Sequence, residues 1–228
     1  MILKVAGIAG RWIFILYLPV LLLSASIAWG FNSLWIYQYG FQKNNVSQTS
    51  GLPSEELEKV AKGMISYFNS GGEYVQITVT KDSAPFELFT FEEQIHLKDV
   101  KHLVWLDYRI LIISFIFVLS YSVISIVWHR GVYRRQWVRN IIWGSSLSLG
   151  LILVAGIAVL IDFNWLWLQF HLLSFSNDFW FAEGYMIRLF GGFWYDAILI
   201  VVAFMAGLAI LQFITSLTYL RLSRSLCE

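Results

Sequence analysis

"ILIISFIFVLSYSVISIVW", residues 110–128, holds no Lys, Arg, Asp or Glu. Crossing about 30 Å of hydrocarbon takes roughly 20 predominantly apolar residues in a helix, and this run has that length. The bilayer core offers no water to backbone N–H and C=O groups, so each must be paired within its own segment. The run therefore reads as a transmembrane helix and not as a strand. Three further windows share its character, Trp12–Trp29, Ile141–Ile161 and Ala197–Thr218, and none carries a charge. Composition agrees: 58% of the 228 residues are hydrophobic, 14% are charged, and the mean hydropathy is +0.65, well outside the range of soluble domains. Small residues around Ser26-Ile27-Ala28 resemble a signal-peptidase site, but the window is long for a signal segment and apolar character continues through Leu34–Tyr37, so helix 1 is expected to be a retained anchor.

Basic residues set the orientation. Lys4 and Arg11 precede helix 1, "HRGVYRRQWVRN" (129–140) joins helices 2 and 3, and Arg221 and Arg224 follow helix 4. These short segments hold half of the 16 basic residues, with Glu228 as their sole acid. Both termini are thus expected in the cytoplasm. The division is 1–29 for the N-terminus and helix 1, 30–109 outside, 110–128 helix 2, 129–140 a basic cytoplasmic loop, 141–161 helix 3, 162–196 outside, 197–218 helix 4 and 219–228 a tail. A net charge of +1 without a basic face gives no sign of nucleic acid binding. Cys227 cannot form an internal disulfide, being the single cysteine.

Residues 30–109 are too long for a connector. "PSEE" (53–56) supplies a helix N-cap followed by first-turn acids, and Leu57, Val60, Ala61, Met64, Ile65 and Phe68 recur at helical spacing. "NSGG" (69–72) ends that helix. "EYVQITVT" (73–80) alternates Val75, Ile77 and Val79 against polar neighbours, and "FELFTF" (86–91) returns across a "KDSAP" turn, predicting a hairpin. The expected outer insertion is a small extracytoplasmic α/β unit of amphipathic helix plus β-hairpin. From Glu92 the pattern is helical through His96 into helix 2. Residues 162–196 are dense in Trp, Phe and Tyr, residues that favour the headgroup level, so this segment and its His171 are expected in the interface.

In this topology His96, His102 and His171 share the outer side, while His129 stands alone in the basic loop. Imidazole titrates nearest neutrality, so outer histidines at the lipid boundary suit proton transfer, although a satisfied interfacial histidine would look the same. Asp99 follows His96 by three residues on one helical face and can orient its ring, or merely solvate the helix. His102 points elsewhere. Arg188 could hold a phosphate, a carboxylate or a developing oxyanion, or pair structurally with Asp162 or Asp196. The residues show no zinc motif, nucleophile elbow, phosphate loop or dinucleotide fingerprint. No cofactor and no metal are expected.

"LWIYQYGF" (34–41), "GLPSEELEKVAKGMISYF" (51–68), "FEEQIHLKDVK" (91–101), "FHLLSFSNDFW" (170–180) and "IRLFGGFWYDA" (187–197) occur in the order found in the Lit-type lipoprotein intramolecular transacylases, and the chain resembles that family over nearly its whole length. The resemblance implies a bacterial cell-membrane enzyme acting at the outer leaflet, most simply as a monomer among membrane lipids. Its substrate would be a lipoprotein whose N-terminal cysteine bears a diacylglyceryl thioether, and the sn-2 acyl chain would move to the free amine. It also implies two functional histidines, matching His96 and His171. Asn177, Trp180 and Arg188 are candidates for substrate contact, and Asp99 for orienting. Two other readings stay open: a membrane transporter, disfavoured because no window holds an ionisable residue, and a non-catalytic assembly or sensor protein.

Overall fold

The structure is a computed structural model and describes residues 2–127, 132–181 and 183–225. Met1, Trp128, His129, Arg130, Gly131, Ala182, Leu226, Cys227 and Glu228 lie outside the described residues. The elements run α1 (Ile2–Asn32), α2 (Leu34–Lys43), α3 (Val46–Ser50), α4 (Ser54–Phe68), β1 (Thr78–Lys81), β2 (Ala84–Glu87), α5 (Phe91–Val127), α6 (Val132–Ser174), a 3-10 turn (Phe179–Phe181), α7 (Tyr185–Phe190) and α8 (Phe193–Ser225). Four helices, α1, α5, α6 and α8, are long and apolar enough to cross a membrane. With the small two-stranded sheet, they make the chain an α-helical polytopic membrane protein carrying an α/β insertion. All four overrun their apolar windows. The 37 residues of α5 extend about 55 Å at the helical rise, against about 30 Å of hydrocarbon. Its first part, including His96, therefore lies outside the spanning window.

The chain divides into two compact units. One comprises residues 1–26, 108–161 and 202–228. Its core gathers Leu22, Met205 and Ala209, with Leu149, Ile152 and Leu208 packed around them. Pro19 sits inside α1 and denies the Ile15 carbonyl its helical donor. Gly144 packs on that turn, where a Cβ would crowd the Leu18 side chain. Close approach at a small residue is how helices associate in lipid, which provides no hydrophobic drive between them. Polar side chains add to it: Gln136 donates to Asn140 (2.9 Å), Asn140 to Tyr121 (3.0 Å) and Trp137 to Ser122 (3.0 Å). Outward residues such as Ile112, Ile113, Ile116, Leu153 and Leu160 are exposed and apolar, as a lipid-facing surface requires.

The second unit comprises residues 27–107 and 162–201. Helix α4 buries Leu57, Val60, Ala61, Met64, Tyr67 and Phe68. Its N-cap is Pro53, in an extended conformation without a side-chain cap bond. The hairpin is shorter than the alternation suggested and pairs Thr78 with Glu87 through Lys81 with Ala84. Asp82 and Ser83 both take positive φ, as a two-residue hairpin turn demands. Val75, Ile77 and Val79 are all buried, though only Val79 lies in the ladder. Trp105 on α5 donates to Phe68 O (2.8 Å) and buried Lys101 to Gly72 O (2.7 Å), fixing the end of α4 against α5. Lys101 also lies over the Tyr67 ring at 4.2 Å, and burial lowers its pKa.

Candidate functional site

The second unit contains both candidate imidazoles. Helix α5 starts with a capping box: Glu93 N donates to Thr90 Oγ1 (3.3 Å), and Thr90 N donates to Glu93 Oε2 (2.9 Å). One turn later on the same face comes His96, and one turn after that Asp99. Helix α6 breaks at Asp162, whose backbone leaves the helical region and whose Oδ1 accepts a bond from Trp165 N (2.9 Å), starting a fresh helical segment. His171 occupies the last turn of that segment.

The two rings come together. Their centroids are 6.0 Å apart and their planes 20° from parallel. His96 is 6% exposed and His171 5%, so neither is an ordinary solvated histidine. Phe175 closes on both, edge-on to His96 at 4.8 Å and tilted against His171 at 5.4 Å. Trp167 and Trp180 lie 4.6 and 4.8 Å from the His171 ring. His171 Nδ1 is 2.8 Å from the Trp167 carbonyl. A carbonyl only accepts, so Nδ1 carries the proton and Nε2 holds the free lone pair. His96 Nδ1 is buried and has no hydrogen-bond partner among the described residues.

Burial in this aromatic setting disfavours imidazolium. It pushes His96 down to about 4, with the neighbouring His171 lowering it further and Asp99 opposing. His171 is also lowered by burial, against the raising effect of the Trp167 carbonyl. Both rings are therefore neutral at pH 7, the form that accepts a proton.

Asp99 is on the expected face but bonds elsewhere. Its Oδ2 accepts from Asn177 Nδ2 at 2.8 Å, and Asn177 Oδ1 in turn accepts from Phe179 N at 3.1 Å. It makes no hydrogen bond to His96 among the described residues; its partner is a side chain from the segment after His171. Trp180 belongs to the site by its contact with His171. Arg188 is exposed, with its guanidinium 5.3 Å from the Tyr185 ring. Neither carboxylate considered for it is engaged there: Asp196 pairs with Lys43 (2.6 Å), and Asp162 caps its own helix. No contact joins Arg188 to the imidazoles among the described residues. His102 is exposed.

The sequence reading passed over Glu93, Trp167 and Phe175. Glu93 is fully buried and, besides the capping box, accepts from Met186 N at the start of α7 (2.6 Å). The T-x-x-E pattern at 90–93 signals the cap but not the bond to a distant helix. Trp167 stands four residues before His171 on α6, a spacing that puts it against the ring, and Phe175 stands four after it, just past the helix end, its N donating to His171 O (3.0 Å).

The arrangement resembles known folds and a known family. Solved structures of the membrane integral lipoprotein intramolecular transacylase Lit from Bacillus cereus superpose with TM-score 0.81, at 15% identity and covering 95% of this chain and 97% of that one. A variant of the same protein with one histidine replaced by alanine gives 0.79, at 14% identity and coverage of 99% and 100%. Another with a histidine replaced by arginine gives 0.74, at 16% identity and coverage of 99% and 98%. At such identities these matches show a shared fold. No curated protein sequence matches the chain. The family described as lipoprotein intramolecular transacylase Lit matches residues 12–190. Spanning well over half of the sequence, that match places the chain in the Lit family of lipoprotein intramolecular transacylases.

Proposed function

We propose that this chain moves the sn-2 acyl chain of a diacylglyceryl-cysteine lipoprotein onto the N-terminal amine of the same cysteine, giving the lyso form, with His96 and His171 as general acid and base. One observation carries this reading: two buried imidazoles from distant parts of the sequence face each other at 6.0 Å among aromatic side chains. Donor and acceptor reside in one molecule, so binding need only fold the headgroup until the amine nitrogen meets the ester carbonyl. His171 Nε2, its tautomer set by Trp167, takes the amine proton as the new C–N bond forms. The tetrahedral intermediate then expels the glyceryl oxygen, and the proton goes to that oxygen to leave a hydroxyl. The unpartnered His96 Nδ1 suits a substrate N–H or hydroxyl, because a buried polar atom gains most from a partner. Exchanging the two roles balances equally well. The steps need no acyl-enzyme, metal or cofactor.

Phe175, Trp167 and Trp180, packed on the imidazoles, support this by keeping water, which would hydrolyse the ester, from the rings. Asn177 and Asp99 hold the segment carrying Trp180, and the uncommitted charge of Arg188 suits a lipid headgroup. Under this proposal the outer segments are 30–109 and 162–196, both termini are cytoplasmic, and the enzyme works as a monomer on lipoproteins in the outer leaflet. The test is expression in a bacterium lacking the activity, with mass spectrometry of lipoprotein N-terminal peptides. The lyso form is expected from the wild type and is expected to vanish with His96→Ala or His171→Ala. Its absence from the wild type, or its persistence in both variants, would overturn the reading.

A further inference from the structure

Glu93, His96 and Asp99 stand one turn apart along a single face of α5, and all three meet the stretch of chain from His171 to Met186. His96 packs on Phe175 and His171, Asp99 accepts from Asn177, and Glu93 accepts from Met186 N. The two carboxylates therefore anchor this stretch at two points, residues 177 and 186. Trp180, whose ring leans on His171, lies between the anchors.

The Glu93 anchor has features that capping alone does not explain. Its side chain is fully buried, and both oxygens accept from backbone N–H groups, Oε2 from Thr90 and Oε1 from Met186. A buried carboxylate without a cation is costly, and the positive ends of α5 and α7 offset that cost. A capping box uses only one oxygen, and an exposed glutamate would serve. The second oxygen ties α7 to α5. Opposite it, Gly184 leaves room for the carboxylate: a Cβ there would overlap Oε1 and stand 2.7 Å from Cδ.

We propose that Glu93 is a positioning residue for the transacylation, holding the start of α7 so that the bracketed segment keeps Trp180 against His171 and the two imidazoles in register. This inference rests on the histidine-catalysed reading above. It is tested by damaging one contact from both sides. Glu93→Gln exchanges one accepting oxygen for a donor facing an N–H, and Gly184→Ala pushes the carboxylate off Met186 N. The full-length enzyme and the double variant would be assayed in detergent micelles with a synthetic diacyl lipopeptide, together with thermal melting. Each single variant should lower kcat at least tenfold with KM within about twofold, because neither residue touches substrate. The double variant should be no slower than the slower single, since both remove one contact. A merely structural role would lower melting temperature while leaving kcat of the folded enzyme within twofold. That result, or additive losses in the double variant, would overturn the proposal. Should Glu93→Gln not fold, Gly184→Ala alone decides by the same kcat criterion. An inactive wild type, or an active His96→Ala variant, would instead remove the underlying transacylase reading.

Discussion

Lowering the pH separates a buried imidazole from an ordinary one. In the proposed transacylation the substrate amine, with pKa about 8, must be neutral to attack, so kcat/KM falls about tenfold per unit below that value. Lowered to about 4, His96 is only about 1% protonated at pH 6 and about a tenth at pH 5. At the ordinary value of 6.5 it would be about three-quarters protonated at pH 6 and almost wholly so at pH 5. Between pH 7 and 5 the lowered imidazole therefore adds almost nothing to the roughly hundredfold loss due to the amine, whereas an unshifted one would bring the loss to about two-thousandfold. The assay is conversion of a diacyl lipopeptide to the lyso form by mass spectrometry, at limiting substrate, in half-unit steps. Because burial lowers both His96 and His171 below the ordinary value of 6.5, the expected plot of log kcat/KM against pH keeps unit slope through that pH. A slope of two setting in just below pH 6.5 would refute the argument that burial keeps His96 and His171 neutral.

Three further outcomes follow from the same geometry. Asn177→Ala removes the donor to Asp99 and the acceptor of Phe179 N, and should cost about 1–2 kcal/mol in thermal unfolding together with a fall in kcat; unchanged melting and kcat would show the bridge to be idle. Gly40→Ala would drive a Cβ into the Phe193 ring and should destabilise the second unit by about 1–3 kcal/mol, read as a lowered melting temperature. Because the folded pKa of His96 lies below its unfolded value, the unfolded chain binds the extra proton, and stability complete above about pH 6.5 is lost as pH falls towards 4. Wild type should thus lose about 2 kcal/mol more than His96→Phe between pH 7 and 5; equal losses by scanning calorimetry would contradict the burial of that ring.

The fold was legible where periodicity and length speak directly. Uncharged windows such as residues 110–128 have no soluble use, and Leu57, Val60, Ala61, Met64 and Phe68 at helical spacing are buried together. Even there Tyr67 is buried while Ile65 is half-exposed, because a tertiary neighbour, Lys101, takes the Tyr67 ring. Alternation at Val75, Ile77 and Val79 identified the buried face, yet it could not say where pairing begins, since burial and ladder bonding are separate constraints. The site was less legible. Helical spacing placed Asp99 beside His96 but could not reveal that Asn177, far along the chain, would take its carboxylate. Nor did any local pattern bring His171 to His96; the resemblance to a family suggested the pair, and tertiary packing put the rings side by side.

The indoles of Trp167 and Trp180 flank the His171 imidazole at 4.6 and 4.8 Å. A protonated imidazole quenches a neighbouring indole, so the enzyme contains its own optical gauge of the proton on that ring. The emission lost on acidification, taken as the difference between wild type and Trp180→Phe, would report the charge on His171 without any added label.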